Sequence, residues 1–259
     1  LVRKWTRQFG TRGLEAGTDV AVDQAGNLYV TGYTTGELAP HPGRALTGII
    51  PDERPDHFLR KFDPSGAELW TAQWDADDLE EVLVRNVEGV EVGYQMPVKN
   101  DYRTVVALDP EDASLYVAGT IGRRISWYTA AGAQDLFLAK FGAGNGELSW
   151  RKEWNGSWGS DDVPSAITVA PDGDIYLTGR TMETPFDGSF HPDLLLMRWS
   201  PEGALRSTAT LGSRAFEFGP ETKPAGYDVG TAITLDASGS FGYVAGITYG
   251  TLPGAGGHY

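Results

Sequence analysis

Val20-Ala21-Val22-Asp23, then Tyr29-Val30-Thr31-Gly32, then Asp56-His57-Phe58-Leu59-Arg60-Lys61-Phe62, then Gly66-Ala67-Glu68-Leu69-Trp70 with Trp74 close behind form a cassette that this chain repeats. The Tyr-x-x-Gly element returns at Tyr29/Gly32, Tyr116/Gly119, Tyr176/Gly179 and Tyr243/Gly246, in steps of 87, 60 and 67 residues. The Asp-led segment returns from Asp135 to Phe141 and from Asp193 to Trp199. The aromatic pair stands at Trp5/Phe9, Trp70/Trp74 and Trp150/Trp154, with a worn copy at Ser207/Leu211. Short apolar or alternating runs bounded by Gly, Pro and Asx turns read as strands. A period of this size built from short strands predicts a radial or stacked β array.

Each cassette divides into four strands, a to d, which in the first copy cover 20–23, 28–34, 57–62 and 69–74. The a–b and c–d links are tight, as in Asp23-Gln24-Ala25-Gly26-Asn27 and Asp63-Pro64-Ser65-Gly66, and carry hairpin-turn residues. Every long insertion falls in the other two links: 33–55, 121–134 and 181–192 between b and c, and 10–18, 75–102, 155–165 and 212–230 between d and a. In an up-and-down blade successive turns alternate ends. The short turns therefore share one face and the long, variable links share the other, where binding usually lives.

With these residues the chain resembles the bacterial β-propeller repeat family (SBBP), closely over 5–74, well to Trp154 and Leu211, and weakly in the last copy. The resemblance implies an all-β fold, a β-propeller of four-stranded antiparallel blades. About four blades are visible, the last incomplete, with repeats at about 5–74, 75–154, 155–211 and 212–259 in one domain over 1–259. It implies a secreted or cell-surface protein and carries no shared catalytic motif, so it gives a fold rather than a reaction. Both ends of the sequence fall inside a repeat. The expectation is an excerpt of a longer propeller, or a blade completed from outside, with residues 2–9 as a d strand lacking its c neighbour.

Composition narrows the partners. With 41% hydrophobic residues in 259, the chain can bury a full core. A net charge of −14, from 35 acidic and 21 basic residues, makes nucleic acid a poor partner. No run of 18 apolar residues exists, so no membrane insertion by helix is expected, and the absence of cysteine excludes disulfides and thiolate chemistry.

The candidate binding residues are the non-periodic aromatics of the long links: Trp127, Tyr128, Trp158, Phe186, Phe190, Phe216 and Phe218. Aromatics beside acids suit a protein or saccharide surface. Asp75, Asp77 and Asp78, with Asp161 in the equivalent link of the next blade, form an oxygen-rich set of the kind Ca²⁺ prefers, although no EF-hand spacing is present. Asn155-Gly156-Ser157 is a glycosylation sequon that hints at a secreted protein. His57 shares a repeat position with Leu194 and reads as a tolerated strand residue. The periodic Trp5, Trp70 and Trp150 read as blade-to-blade packing, and Asp56, Asp135 and Asp193 as caps at the blade ends. No catalytic residues are singled out.

The expected function is a non-enzymatic extracellular scaffold or binding module that uses its long-link face. Two alternatives stand beside it. One is a metal-dependent propeller hydrolase or lyase acting on a saccharide or polyanion. The other is a structural subunit that self-assembles through its incomplete blade by strand complementation.

Overall fold

The computed structural model describes residues 4–39, 55–75, 102–109, 111, 113–122, 134–156, 161–183, 191–212 and 227–249. The described residues hold fourteen strands and no helix. Blade 1 is β1 (Glu15–Val22), β2 (Leu28–Thr34), β3 (Asp56–Phe62) and β4 (Glu68–Asp75), hydrogen-bonded in that order. Blade 2 is β5 (Thr104–Leu108), β6 (Ser114–Gly122), β7 (Gln134–Gly142) and β8 (Leu148–Trp154). Blade 3 is β9 (Asp162–Val169), β10 (Ile175–Glu183), β11 (His191–Trp199) and β12 (Leu205–Leu211). Blade 4 is a two-stranded sheet of β13 (Asp228–Leu235) and β14 (Gly242–Thr248). All pairings are antiparallel, and the fold is a β-propeller.

Short turns hold the hairpins in register. The Asp23 carboxylate accepts the Asn27 backbone N–H at 2.8 Å, and Asp63 accepts those of Ser65 and Ala67 at 2.8 and 2.9 Å. Such Asx turns close the chain without a partner strand.

The core lies between blades. Tyr29 and Leu59 of blade 1 bury against Val106, Leu115, Phe137 and Phe141 of blade 2, with Trp70 and Trp74 packed on the rim. One blade on, Tyr116 and Leu138 of blade 2 bury against Ile175, Leu195 and Met197 of blade 3, with Trp150 and Trp154 in the same role. The periodic tryptophans are therefore packing residues. Trp70 sits over Gly146 of the next blade and Trp150 over Gly203, so a Cβ on either glycine would come within 2.7 and 3.1 Å of the ring.

Two expectations need correction. Strand a begins earlier than alternation predicts, at Glu15 in blade 1, because a β-bulge adds a residue between Gly17 and Asp19 and breaks the period of two. Residues 4–9 form no strand. They dock through side chains instead: Phe9 packs edge-on against Phe58 with centroids 5.8 Å apart, and the Trp5 indole donates to the Pro64 carbonyl at 2.9 Å. Among the described residues no strand pairs with this segment. His57 is a strand residue as expected, in β3, and is fully buried between blades 1 and 2, where Nε2 lies 2.8 Å from the Thr120 carbonyl and the ring lies 5.3 Å from Phe137.

Candidate functional site

The strand directions place each link. The β1–β2, β3–β4, β7–β8, β9–β10 and β11–β12 turns lie at one end of the blades and are each a few residues long. The b–c and d–a links leave from the opposite end, where strands a and c begin. That end is rich in carboxylates held by the scaffold. Asp162, fully buried, accepts the Thr181 hydroxyl at 2.6 Å and the Gly156 N–H at 2.9 Å. Glu15 accepts the Thr34 hydroxyl at 3.1 Å from the matching position of blade 1. Asp56 accepts the Gln73 side-chain amide at 2.6 Å, which ties the start of strand c to the outer strand of its blade.

The inner strands of all four blades face one axial cavity of about 610 Å³. Thr18, Ser165 and Thr231 line it, and each is the extra residue of a bulge in β1, β9 or β13. A bulge re-aims a side chain that a regular strand would direct elsewhere. The bulge also explains the repeat's glycine. A Cβ at Gly32, Gly179 or Gly246 would run into the carbonyl oxygen of Ala16, Val163 or Val229 on the bulged strand. Blade 2 departs from the pattern. Thr104, which aligns with the three hydroxyl residues, is fully buried and bonded to Thr18 and Thr31, while its predecessor Arg103 lines the cavity. Asp19 lines it too, its carboxylate accepting the Val106 N–H at 2.9 Å across the blade boundary.

Because each bulge lies in the first half of its strand, these side chains sit toward the long-link end. The arrangement offers hydroxyls, a guanidinium and a carboxylate around a space large enough for a small polar ligand. A signal for it stands in the sequence: an acid three residues ahead of a hydroxyl recurs at Glu15/Thr18, Asp101/Thr104, Asp162/Ser165 and Asp228/Thr231.

Of the residues expected from sequence, Trp127, Tyr128, Trp158, Phe186, Phe190, Phe216, Phe218, Asp77 and Asp78 lie outside the described residues. Asp75 ends β4. Asp161 is buried, and its carboxylate accepts the Gln134 N–H at 3.2 Å, tying blade 3 to blade 2. Among the described residues no three His, Asp or Glu side chains cluster as a metal site; of the four Ca²⁺ candidates, Asp77 and Asp78 lie outside them. Asn155 is exposed just after β8.

One comparison, with a family model, agrees with this architecture. Residues 4–39 match the family model of the SBBP beta-propeller repeat. No curated protein sequence matches the chain. Among solved structures it is similar to the Hadza microbial sialidase Hz136, at 12% identity and a TM-score of 0.43, over 88% of this chain and 43% of that one. It is also similar to MPT-4, a mannose phosphorylase from Leishmania mexicana in complex with phosphate ion, at 10% identity and a TM-score of 0.31, over 93% and 87% of the two chains. The chain thus spans less than half the length of the sialidase.

Proposed function

We propose that this chain is a non-enzymatic, secreted or cell-surface binding module that takes a saccharide at its long-link end, above the axial cavity. One observation carries the reading: every described short turn lies at one end of the blades, so all sequence variety is displayed at the other. The chemistry there suits a sugar. Trp127, Tyr128, Trp158, Phe186 and Phe190 supply flat apolar faces, and carboxylates supply acceptors for hydroxyls. In the axial cavity, Thr18, Ser165, Thr231, Arg103 and Asp19 give a polyol both donors and acceptors. The exposed Asn155 sequon supports the extracellular reading. The test is an array of immobilised saccharides probed with wild type and with Trp127→Ala/Trp158→Ala. Retention by wild type and its loss in the variant supports the proposal. Equal retention, no retention at all, or release of cleaved sugar contradicts it.

A further inference from the structure

Much of the hydrogen-bonding capacity in the axial cavity is already committed to the fold. The Thr18 hydroxyl donates to the Thr104 carbonyl at 2.8 Å and accepts the Thr104 N–H at 3.3 Å. The Thr231 hydroxyl donates to the Ala245 carbonyl at 3.2 Å. The Asp19 carboxylate accepts the Val20 N–H on one oxygen at 2.8 Å and the Val106 N–H on the other at 2.9 Å. Two polar lining groups are left over. The Arg103 guanidinium and the Ser165 hydroxyl have no hydrogen-bond or ion-pair partner among the described residues. A guanidinium brings five N–H donors and no acceptor, so the open capacity of the cavity is weighted toward donors.

The fold does not require an arginine at this place. One residue ahead of the repeat's hydroxyl stand Gly17 in blade 1, Pro164 in blade 3 and Gly230 in blade 4. None of these has a polar side chain, so three blades are built with nothing donated from that position. Arg103 holds it in blade 2, exposed, just ahead of β5. A charged side chain that lines a cavity and holds no part of the scaffold is placed for a ligand. The chain's net charge of −14 opposes an anion at long range, but 0.15 M salt screens that field beyond about 8 Å. Close in, Arg103 is the cation of the described lining.

From this excess of open donors we infer that the saccharide taken here is anionic, a sugar acid or a sulfated sugar, whose charged group docks on Arg103 and Ser165. The inference rests on the saccharide reading of this site and narrows it to one class of ligand. Carboxylate and sulfate both offer a pair of oxygens to the planar fork of a guanidinium, and either is bound through two parallel N–H bonds. Blade 2 packs between blades 1 and 3, so in blade order Arg103 stands between Asp19 on β1 and Ser165 on β9. Sugar hydroxyls donate to the remaining lone pairs of Asp19, which gives the ligand an acid end at blade 2 and a hydroxyl end at blade 1.

Immobilised oligogalacturonate, its methyl ester, sulfated galactan and neutral galactan test it, probed with wild type, Arg103→Gln and Arg103→Lys. Wild type is expected to bind one of the anionic sugars with a Kd at least about tenfold below that of its uncharged counterpart, and Arg103→Gln to abolish the preference. Which anionic sugar is held tells carboxylate from sulfate. Arg103→Lys keeps the charge without the fork and is expected to recover part of the preference. Melting temperatures equal to wild type are expected for both variants, since the side chain holds no other group. Equal binding of charged and uncharged sugars overturns the inference and leaves the saccharide reading standing. A preference that survives in Arg103→Gln does the same. A wild type that retains no saccharide overturns both.

Discussion

The Trp5 indole lies directly over Gly66, so close that a Cβ on Gly66 would come 2.8 Å from the ring, and its Nε1–H reaches the Pro64 carbonyl at 2.9 Å. Sixty residues separate a tryptophan from its glycine here, yet the pair repeats at Trp70/Gly146 and Trp150/Gly203. The glycine meets two demands at once. It takes a left-handed turn conformation, with φ of 82° at Gly66, and it leaves room for a flat ring from the segment packed against its blade.

Gly66→Ala therefore strains the turn and displaces the ring together. The expected cost is about 1–3 kcal/mol, the range for a residue forced both into positive φ and against a packed neighbour. Urea unfolding of wild type and variant measures it. A loss smaller than about 0.5 kcal/mol shows that the ring is not held there.

The repeat's glycines differ in what they meet, with a bulge beside Gly179 and none beside Gly119. A Cβ at Gly179 runs into the Val163 carbonyl, which is backbone and cannot move aside, whereas one at Gly119 meets the Phe137 and Thr104 side chains. Gly179→Ala is expected to destabilise by about 3 kcal/mol and Gly119→Ala by less, since side chains can repack. The reverse order in thermal unfolding contradicts the bulge account.

Thr104 ties blade 1 to blade 2. Its hydroxyl lies 3.0 Å from that of Thr18 and 2.9 Å from that of Thr31, and it is fully buried. Thr104→Val keeps the shape and removes the shared hydroxyl, with an expected cost of about 1–2 kcal/mol. Equilibrium denaturation reads it, and an unchanged midpoint rejects a structural role for this network.

Burial between blades, opposed by the bond to the Thr120 carbonyl and aided by the nearby Arg151 charge, lowers the His57 pKa from 6.5 to about 4. Between those values the unfolded chain binds a proton that the folded chain refuses. Stability is full above about pH 6.5 and falls as the pH drops toward 4, by about 3 kcal/mol in all. Leucine fills the equivalent position in blades 2 and 3 as Leu136 and Leu194, so His57→Leu should remove this slope. Denaturation midpoints at pH 7.5 and 4.5 decide it, and an equal pH dependence in both proteins refutes the assignment.

Much of this was legible in the residues. Strand b runs over Leu28–Thr34 as its apolar run and flanking turns require, because the Asn27 turn and the long link after Thr34 bound it on both sides. The segregation of short turns from long links followed from counting residues alone. Strand a was misread because a bulge shifts its register, and the axial hydroxyls were missed for the same reason: a threonine at a bulge looks like any strand threonine. His57 looked tolerable because leucine replaces it elsewhere. That same fact places it in the apolar seam between blades, where its titration is suppressed.

The most direct test of the binding account is hydrogen exchange of the chain with and without a saccharide retained by the array. The prediction is slowed exchange confined to the long links, at 123–133, 157–160 and 184–190, and to the inner strands at Thr18, Ser165 and Thr231. The short turns at Asp23, Asp63 and Ser200 are expected to exchange as before. Protection centred on those turns, with the long links unchanged, would place the ligand at the wrong end of the blades and contradict the account.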